Sequence, residues 1–518
     1  MRLRPSSSAL GILDADSPTW ADVLLRPRRS RNTPPRAGIA PSGPAARSLL
    51  KSYKPWDVGR ASWMSAFRRT LTPERLLVLS FAGLILAGTL GFKVLPGLYT
   101  GPGLSWLDAL FTATSAVCVT GLIVVDTATY FTTLGQAYVL LLIQLGGLGI
   151  VTFTTLAVLA LGRRLSLHHE AVTASTANVA PEVDFRQLVR SVVRFTLALE
   201  AVGALILFMA WLPRFGPVEA AGHAVFQAVS AFCNAGFSTF SDSLTGFQAA
   251  PVTLATMMAL IVLGGLGFLA LEEVRLSWRR RREGRRMRVS LHSRLVLVVT
   301  ALLVAGGWIA YSVLEWNHQL AGMPWWHRGL NALFMSVTAR TAGFNTVDYA
   351  QNSDGSNFVT ILLMSIGGSP GSTAGGLKTT TVAAIGLLAL ARLRGRQMTS
   401  VGGRSVPDDT IHRAVGLFVV SFGVVTAGIL LFAVTHLQPR IDGASMTFLH
   451  YMFEAVSAFN TVGLSMGATG SLEAEGKLLT ILLMYVGRVG PLTLAAAISL
   501  RRLHTGRFRY AYEDVIIG

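Results

Sequence analysis

Four glycines, Gly121, Gly236, Gly343 and Gly463, occupy one place in four related segments. These read FTATSAVCVTGL (111–122), FQAVSAFCNAGF (226–237), FMSVTARTAGF (334–344, one residue shorter) and FEAVSAFNTVGL (453–464). Each opens on Phe, carries a small hydroxyl residue midway and ends on Gly followed by Leu or Phe. Glycine reaches φ values that other residues resist and lets backbone approach a ligand closely. Carbonyl oxygens held that way can replace the water shell of a cation. No ring of acidic side chains stands in the loops themselves, so backbone oxygens must do the work. The residues that would supply them are Val119, Thr120 and Gly121; Asn234, Ala235 and Gly236; Thr341, Ala342 and Gly343; and Thr461, Val462 and Gly463.

A second landmark follows each segment by 24 to 28 residues: QLGGLG (144–149), VLGGLG (262–267), SIGGSPGS (365–372) and YVGRVGPL (485–492). Two landmarks at matched offsets, four times over, make an internal repeat. Close helix packing explains glycine in such places in part, but not the co-repeating loop. The third copy breaks the pattern and runs GGSPGSTAGGLK from Gly367 to Lys378. Each interior Gly costs a helix about 1 kcal/mol and a Pro about 3, so this stretch is expected to unwind, while the other three copies continue as helix. A small polar loop below a pore is a gate, built from Gly367, Gly368, Ser369, Pro370, Gly371, Ser372, Thr373, Ala374, Gly375, Gly376 and Lys378. Ser369, Ser372 and Thr373 are placed to satisfy freed backbone groups, and Lys378 to hold the loop through a carboxylate or carbonyl, the alternative being a snorkelling interfacial Lys. The fourth copy puts Arg488 where the second glycine belongs. An ionisable residue inside an apolar span is a functional candidate: here a pore-facing barrier, with a structural ion pair as the alternative.

These landmarks sit in an apolar chain. Of its 518 residues 51% are hydrophobic and only 14% charged, with mean hydropathy +0.51; soluble proteins carry about 25% charge. Stretches of roughly 20 apolar residues span a bilayer, and full-length candidates lie at 74–98, 133–161, 187–213, 251–275, 293–315, 357–392, 411–436 and 475–501. Shorter segments at 104–117, 219–232, 326–339 and 446–459 suit re-entrant helices, whose negative C-terminal ends favour cations. Irregular backbone at that depth must line a cavity or be buried in protein. The expected fold is an all-α integral membrane protein with four pseudo-symmetric repeats of span, re-entrant pore helix, filter loop and span around one central pore. The repeats cover 73–165, 186–276, 292–396 and 410–503, after a basic, mostly disordered extension (1–72) that includes Trp20, Trp56 and Trp63, and before a tail (504–518).

The net charge of +18 lies between spans, which argues against nucleic acid as partner. Arg163–Arg164, WRRRREGRRMR (278–288), RLRGR (392–396) and RRLHTGR (501–507) all follow second spans. The positive-inside rule puts them and both termini in the cytoplasm. The start of the chain lacks the long apolar core of a cleavable signal peptide.

Other residues receive plainer readings. Asp126, Asp242 and Asp348 follow the first three glycines by five, six and five residues; they either concentrate cations at an outer mouth or are ordinary loop residues. Glu200 reads as a structural hydrogen-bonding partner. Arg340 reads as a brace behind the third loop, since a cation pore would repel it. Cys118 and Cys233 read as packing residues rather than a redox pair. His168, His169 and Glu170 lack metal-site spacing. GSTAGGLKT (371–379) imitates a phosphate-binding loop but fails, because Leu377 separates Gly376 from Lys378 and no strand precedes it.

The segments TSAVCVTGL, SAFCNAGFSTF, SVTARTAGFNT and SAFNTVGLS, with GGSPGSTAGGLKTT and GRVGPLT, resemble the filter, gating-loop and inner-helix motifs of the Trk/Ktr/HKT superfamily of potassium transporters over about residues 74–518. Eight spans, without two additional leading ones, and the ending YEDVIIG are most similar to the Ktr membrane subunit; the long basic N-terminal extension departs from the pattern. The resemblance implies potassium uptake across a bacterial inner (plasma) membrane, with potassium as the transported ion at the filter and no bound cofactor. It also implies stimulation by sodium, a homodimer with one pore per protomer, and a cytoplasmic ring of nucleotide-binding regulatory subunits. In this superfamily a Ser at the first filter position accompanies sodium permeability, so four glycines imply potassium preference. A rocking secondary transporter normally shows two repeats, and a membrane ATPase needs a catalytic domain this chain has little room for. Those are the alternatives, and no enzymatic activity is expected.

Overall fold

The computed structural model describes residues 73–170, 185–284, 289–401, 403–435, 440–441, 444–445 and 447–498. The expectations for the N-terminal extension, for its Trp20, Trp56 and Trp63, for the segment 285–288 and for the tail lie outside these residues. So do the side chains of Arg163, Arg164, His168, His169 and Glu170. The described residues belong to one compact unit, Thr70–Gly518.

The first unit starts with α1 (Pro73–Val94), then a short helix α2 (Trp106–Val117) and a long one, α3 (Thr133–Glu170). The second has α4 (Phe185–Phe215), α5 (Pro217–Cys233), α6 (Pro251–Leu266) and α7 (Phe268–Arg282). The third has α8 (Leu291–Glu315), α9 (Trp325–Thr338), α10 (Asp354–Met364) and α11 (Thr379–Leu393). The fourth has α12 (Asp408–Thr435), α13 (Phe448–Phe459), α14 (Ala474–Val489) and α15 (Pro491–Ile498). The short helices α2, α5, α9 and α13 fall where the sequence placed re-entrant segments. Two-residue antiparallel ladders pair Ser400–Val401 with Arg404–Ser405 and Arg440–Ile441 with Ala444–Ser445.

Why the short helices start where they do is local chemistry. Ser105 caps α2 by accepting the Asp108 amide at 3.1 Å, and Pro217 begins α5 at the position where a missing N–H costs nothing. Each short helix folds back on its preceding span: α2 on α1, α5 on α4, α9 on α8, α13 on α12. The later helix of each unit then packs on the next unit's short helix: α3 on α5, α6 on α9, α10 on α13, and α14 back on α2. The arrangement closes on itself. A salt bridge from Lys477 to Asp108, 2.7 Å long, fastens the closing seam. Outward faces stay apolar, as Leu79, Leu86 and Leu90 on α1 and Phe422 and Leu430 on α12 are exposed, the pattern of helices whose solvent is lipid.

Among the described residues, five helices are long and apolar enough to cross a membrane, or six if the bent pair α6–α7 counts as one span. Of the eight full-length candidates, five are single long helices and three are broken. The third unit's second span is broken by the glycine-rich loop, as expected. The other second spans were expected to run through, and only α3 does. The pair α6–α7 bends by 103° at Gly267, φ +84°, and α14 ends at Gly490, φ +91°, before Pro491. Both breaks use the last glycine of the motif in a conformation L side chains resist.

Candidate functional site

The Phe that opens each motif is buried (Phe111, Phe226, Phe334, Phe453) and pins its helix in the core. The hydroxyl residue midway is the support of the loop. Ser115 donates to the Leu122 carbonyl at 2.7 Å, Ser230 to Phe237 at 2.7 Å, Thr338 to Phe344 at 2.5 Å and Ser457 to Leu464 at 2.6 Å. All four bonds reach the residue just after the glycine. The repeat in the sequence exposed these hydroxyls without revealing their task.

Between hydroxyl and glycine the backbone alternates. Val119, Asn234, Thr341 and Thr461 have φ of +56°, +58°, +67° and +50°. Two residues on, Gly121, Gly236, Gly343 and Gly463 have φ of +96°, +71°, +83° and +88°. Left-handed backbone at β-branched residues is strained; such strain costs about 1–3 kcal/mol and persists only where surroundings over-determine it. Side chains of Val119, Ala235, Ala342 and Val462 are buried in the two main cores, which leaves the backbone to face elsewhere.

The glycines form a closed circuit. A Cβ built on Gly121 would lie 2.9 Å from Gly236 Cα, one on Gly236 2.9 Å from Gly343 Cα, one on Gly343 3.4 Å from Gly463 Cα, and one on Gly463 3.0 Å from Gly121 Cα. In the same order, these Cβ positions crowd the carbonyl oxygens of Ala235, Ala342, Val462 and Thr120, the middle residue of each neighbouring loop. Four carbonyls and four glycines thus surround one axis. Above them opens a cavity of about 550 Å³ lined by all four glycines and by Asp126, Asp242 and Asp348. These aspartates face the mouth and also build it. Asp126 accepts from the Ala128 amide at 3.0 Å and from the Ser241 hydroxyl of the next unit at 2.6 Å, and Asp348 accepts from the Ala350 amide at 3.0 Å.

Below the ring, the first glycine of each second motif makes room for the short helix. A Cβ on Gly146, Gly264 or Gly487 would strike the carbonyl of Val117, Phe232 or Phe459, near the C-terminal end of α2, α5 or α13. In the third unit Gly367 meets Gly375 of the folded loop instead. The loop crosses beneath the ring. Ser369 and Thr373 donate backbone amides to Gly265 and Gly264 at 2.9 and 3.2 Å. At its other end, the Cβ position of Gly376 lies 3.1 Å from Asn460 Cβ. Gly371 accepts from the Phe268 amide at 3.0 Å, where α7 begins, and Pro370 lies beside Gly267. Gly368 packs on Ala374 and Ser372.

Three basic side chains hold the loop by its carbonyls: Arg340 to Gly367 at 3.3 Å, Lys378 to Ala374 at 2.7 Å and Arg488 to Thr373 at 2.6 Å. Lys378 therefore takes the carbonyl contact. Arg340 braces the lower loop rather than the Gly343 loop it precedes. Arg488 is 4% exposed and has no carboxylate within salt-bridge distance among the described residues, so the structural ion pair is not what holds it. The hydroxyls also divide differently from expectation. Ser372 serves the loop backbone, donating to Ser369 O at 2.6 Å. Thr373 Oγ1 instead donates to Phe232 O at 3.1 Å, and Ser369 pairs with the Thr379 hydroxyl at 3.1 Å, because both sit where the loop meets helix ends.

Glu200 accepts from Gln144 Nε2 at 3.0 Å, joining α4 to α3. The free, buried Cys233 points at the same pair. Cys118 is free and buried as well. The reading of Glu200 as a hydrogen-bonding partner agrees with this geometry.

The family described as TrkH, cation transport protein, matches residues 84–502. The chain is 36% identical over 454 residues to the potassium/sodium uptake protein NtpJ of Enterococcus hirae, across 87% of this chain and 98% of that protein. It is 36% identical over 446 residues to the Ktr system potassium uptake protein B of Vibrio alginolyticus, across 86% and 94%. The crystal structure of the potassium transporter TrkH from Vibrio parahaemolyticus shares the fold, with TM-score 0.65 at 20% identity over 82% of this chain and 84% of that one.

Proposed function

The chain belongs to the TrkH family of cation transport proteins, and on that footing we propose that it carries potassium into the cell across the plasma membrane, through the ring of four glycine-bearing loops. It is a membrane transporter and not an enzyme. The observation that carries the reading is the closed circuit of Gly121, Gly236, Gly343 and Gly463, each beside a carbonyl of the next loop. A cation entering it exchanges water for fixed oxygens. The twelve residues from Val119–Gly121, Asn234–Gly236, Thr341–Gly343 and Thr461–Gly463 form the filter. Asp126, Asp242 and Asp348 raise the local cation concentration at its outer mouth.

Gly367–Lys378 is the gate, held across the path by Arg340, Lys378 and Arg488. A partner that pulls α10 or α11 opens it. The partner is a cytoplasmic nucleotide-binding ring and the working unit a homodimer. The superfamily resemblance implies both, and similarity to proteins named as parts of a Ktr system supports a partner. Sodium stimulates uptake, a reading supported by the name of the potassium/sodium uptake relative. The units are the four repeats, and both termini are cytoplasmic.

Expression in a cell that lacks potassium uptake tests this directly. Growth at low potassium is expected, faster with added sodium. Absence of potassium uptake by protein that is present in the membrane, alone and with its regulatory partner, overturns the reading.

A further inference from the structure

The four loops are not held alike. In repeats two and four, the residue just after the motif Phe reaches across to the loop beyond the glycine. Gln227 Nε2 donates to Ser238 Oγ at 2.7 Å. Ser465 Oγ donates to Glu454 Oε1 at 2.9 Å, and Thr469 Oγ1 donates to the same oxygen. Ser238 and Ser465 both stand two residues after the filter glycine. Each accepts the amide two residues further on, Phe240 and Gly467, at 3.0 Å, and so shapes the bend that leaves the filter. Repeats one and three have Thr112 and Met335 at the first position and Ile123 and Asn345 at the second, and no such bond joins either pair among the described residues. Around the ring, repeats two and four stand opposite one another.

Repeat four also lacks the mouth aspartate. Ala468 stands five residues after Gly463, where Asp126 and Asp348 follow their glycines by the same interval. Those aspartates cap the turn that follows the loop, at the mouth. Glu454, 1% exposed, binds the loop from behind, at Ser465 and Thr469 on either side of Ala468. Two hydroxyl donors converge there on one carboxyl oxygen.

We propose that Glu454 is the positioning residue of the fourth filter loop: it replaces the missing mouth aspartate, and through Ser465 and Thr469 it sets the place of the Val462 and Gly463 carbonyls and hence the discrimination of potassium from sodium. This rests on the reading of the ring as a potassium filter. The Val462 oxygen is the one that faces Gly343 across the joint between repeats three and four, so a shift of this loop opens the ring at that joint. A carboxylate that only stabilised the fold would leave the ion ratio alone.

The experiment compares potassium and sodium uptake at equal amounts of membrane-inserted, folded protein. Glu454→Ala is expected to lower the potassium-to-sodium ratio roughly tenfold, the scale of the hydrogen bonds it loses to Ser465 and Thr469. Glu454→Gln, which recreates the side chain that repeat two uses, keeps most of the ratio. Ser465→Ala and Thr469→Val remove the same bonds from the loop side; each lowers the ratio, and combined with Glu454→Ala they add little. If Glu454→Ala fails to fold, these two loop variants decide the matter alone. Parental ratios in folded Glu454→Ala, or in both loop variants, overturn the inference and leave the filter reading intact. A parent chain without potassium uptake overturns the filter reading first.

Discussion

Arg488 Nη1 donates a 2.6 Å hydrogen bond to the Thr373 carbonyl oxygen, tying the inner helix of the fourth repeat to the middle of the loop in the third. The guanidinium is sealed in, with Nε and Nη2 unpartnered, so this bond is its one anchor among the described residues. A fixed positive charge in a low-dielectric path also raises the barrier to a cation. Arg488→Ala removes both the clasp and the charge. Potassium flux without a regulatory partner should rise roughly tenfold or more, the worth of a hydrogen bond to a charged group. Flux per folded protein, measured as uptake at matched membrane content, checks it; unchanged flux with reduced folded protein would assign Arg488 to packing alone.

The four ring glycines have no room for a side chain. A Cβ on Gly121 would fall 2.9 Å from Gly236 Cα and crowd the Ala235 carbonyl, and φ there is +96°. Gly121→Ser must displace one of the ring's oxygens. The ratio of potassium to sodium uptake is expected to fall by roughly tenfold, about 1.4 kcal/mol of lost discrimination. A ratio equal to the parent's would count against these loops as the filter.

What could be read beforehand was whatever repeats. The glycines, the midway hydroxyls and the glycine pairs recur at fixed offsets, and the short helices between spans are visible from length alone. The breaks at Gly267 and Gly490 were not, because a glycine that continues a helix and one that ends it look the same in sequence. Gly149 belongs to the same motif as Gly267 and stays inside α3. The contacts of buried ionisable side chains were hidden for a different reason. Arg340 meets Gly367 and Glu454 meets Ser465 and Thr469 only once the chain is folded, and no periodicity encodes which carbonyl or hydroxyl a buried charge will find.

The paired glycines of α3 offer a test of packing with its own control. A Cβ on Gly146 would strike the Val117 carbonyl oxygen and lie 2.8 Å from its carbon, whereas Gly149 has nothing within 4 Å. Gly146→Ala should cost about 1–3 kcal/mol through overpacking. Gly149→Ala should be neutral or stabilising by up to about 1 kcal/mol, since Ala is the better helix former. Thermal unfolding of the two purified variants in one detergent reads the difference in sign. Equal shifts would mean that α2 does not sit on α3 at this glycine.

The loop itself gives the most demanding prediction. Its backbone is fastened at both sides of the axis: Ser369 and Thr373 amides bind Gly265 and Gly264, and Gly375 and Gly376 pack under Asn460 and Thr461. Its ends are joined independently of the crossing, because the Gly367 amide donates to Leu377 O at 2.8 Å and the Thr379 amide to Gly368 O at 3.0 Å. Residues 369–375 can therefore be removed without parting α10 from α11, and a flexible loop of this size adds little closure entropy either way. The deletion takes away the Thr373 carbonyl that Arg488 holds and the Ala374 carbonyl that Lys378 holds, so both cations lose their anchors while Arg340 keeps Gly367. Folded protein with high potassium flux that no longer depends on a regulatory partner is the expected outcome, measured as uptake with and without that partner. A folded deletion variant that conducts no faster than the parent alone would show that Gly367–Lys378 is not the barrier.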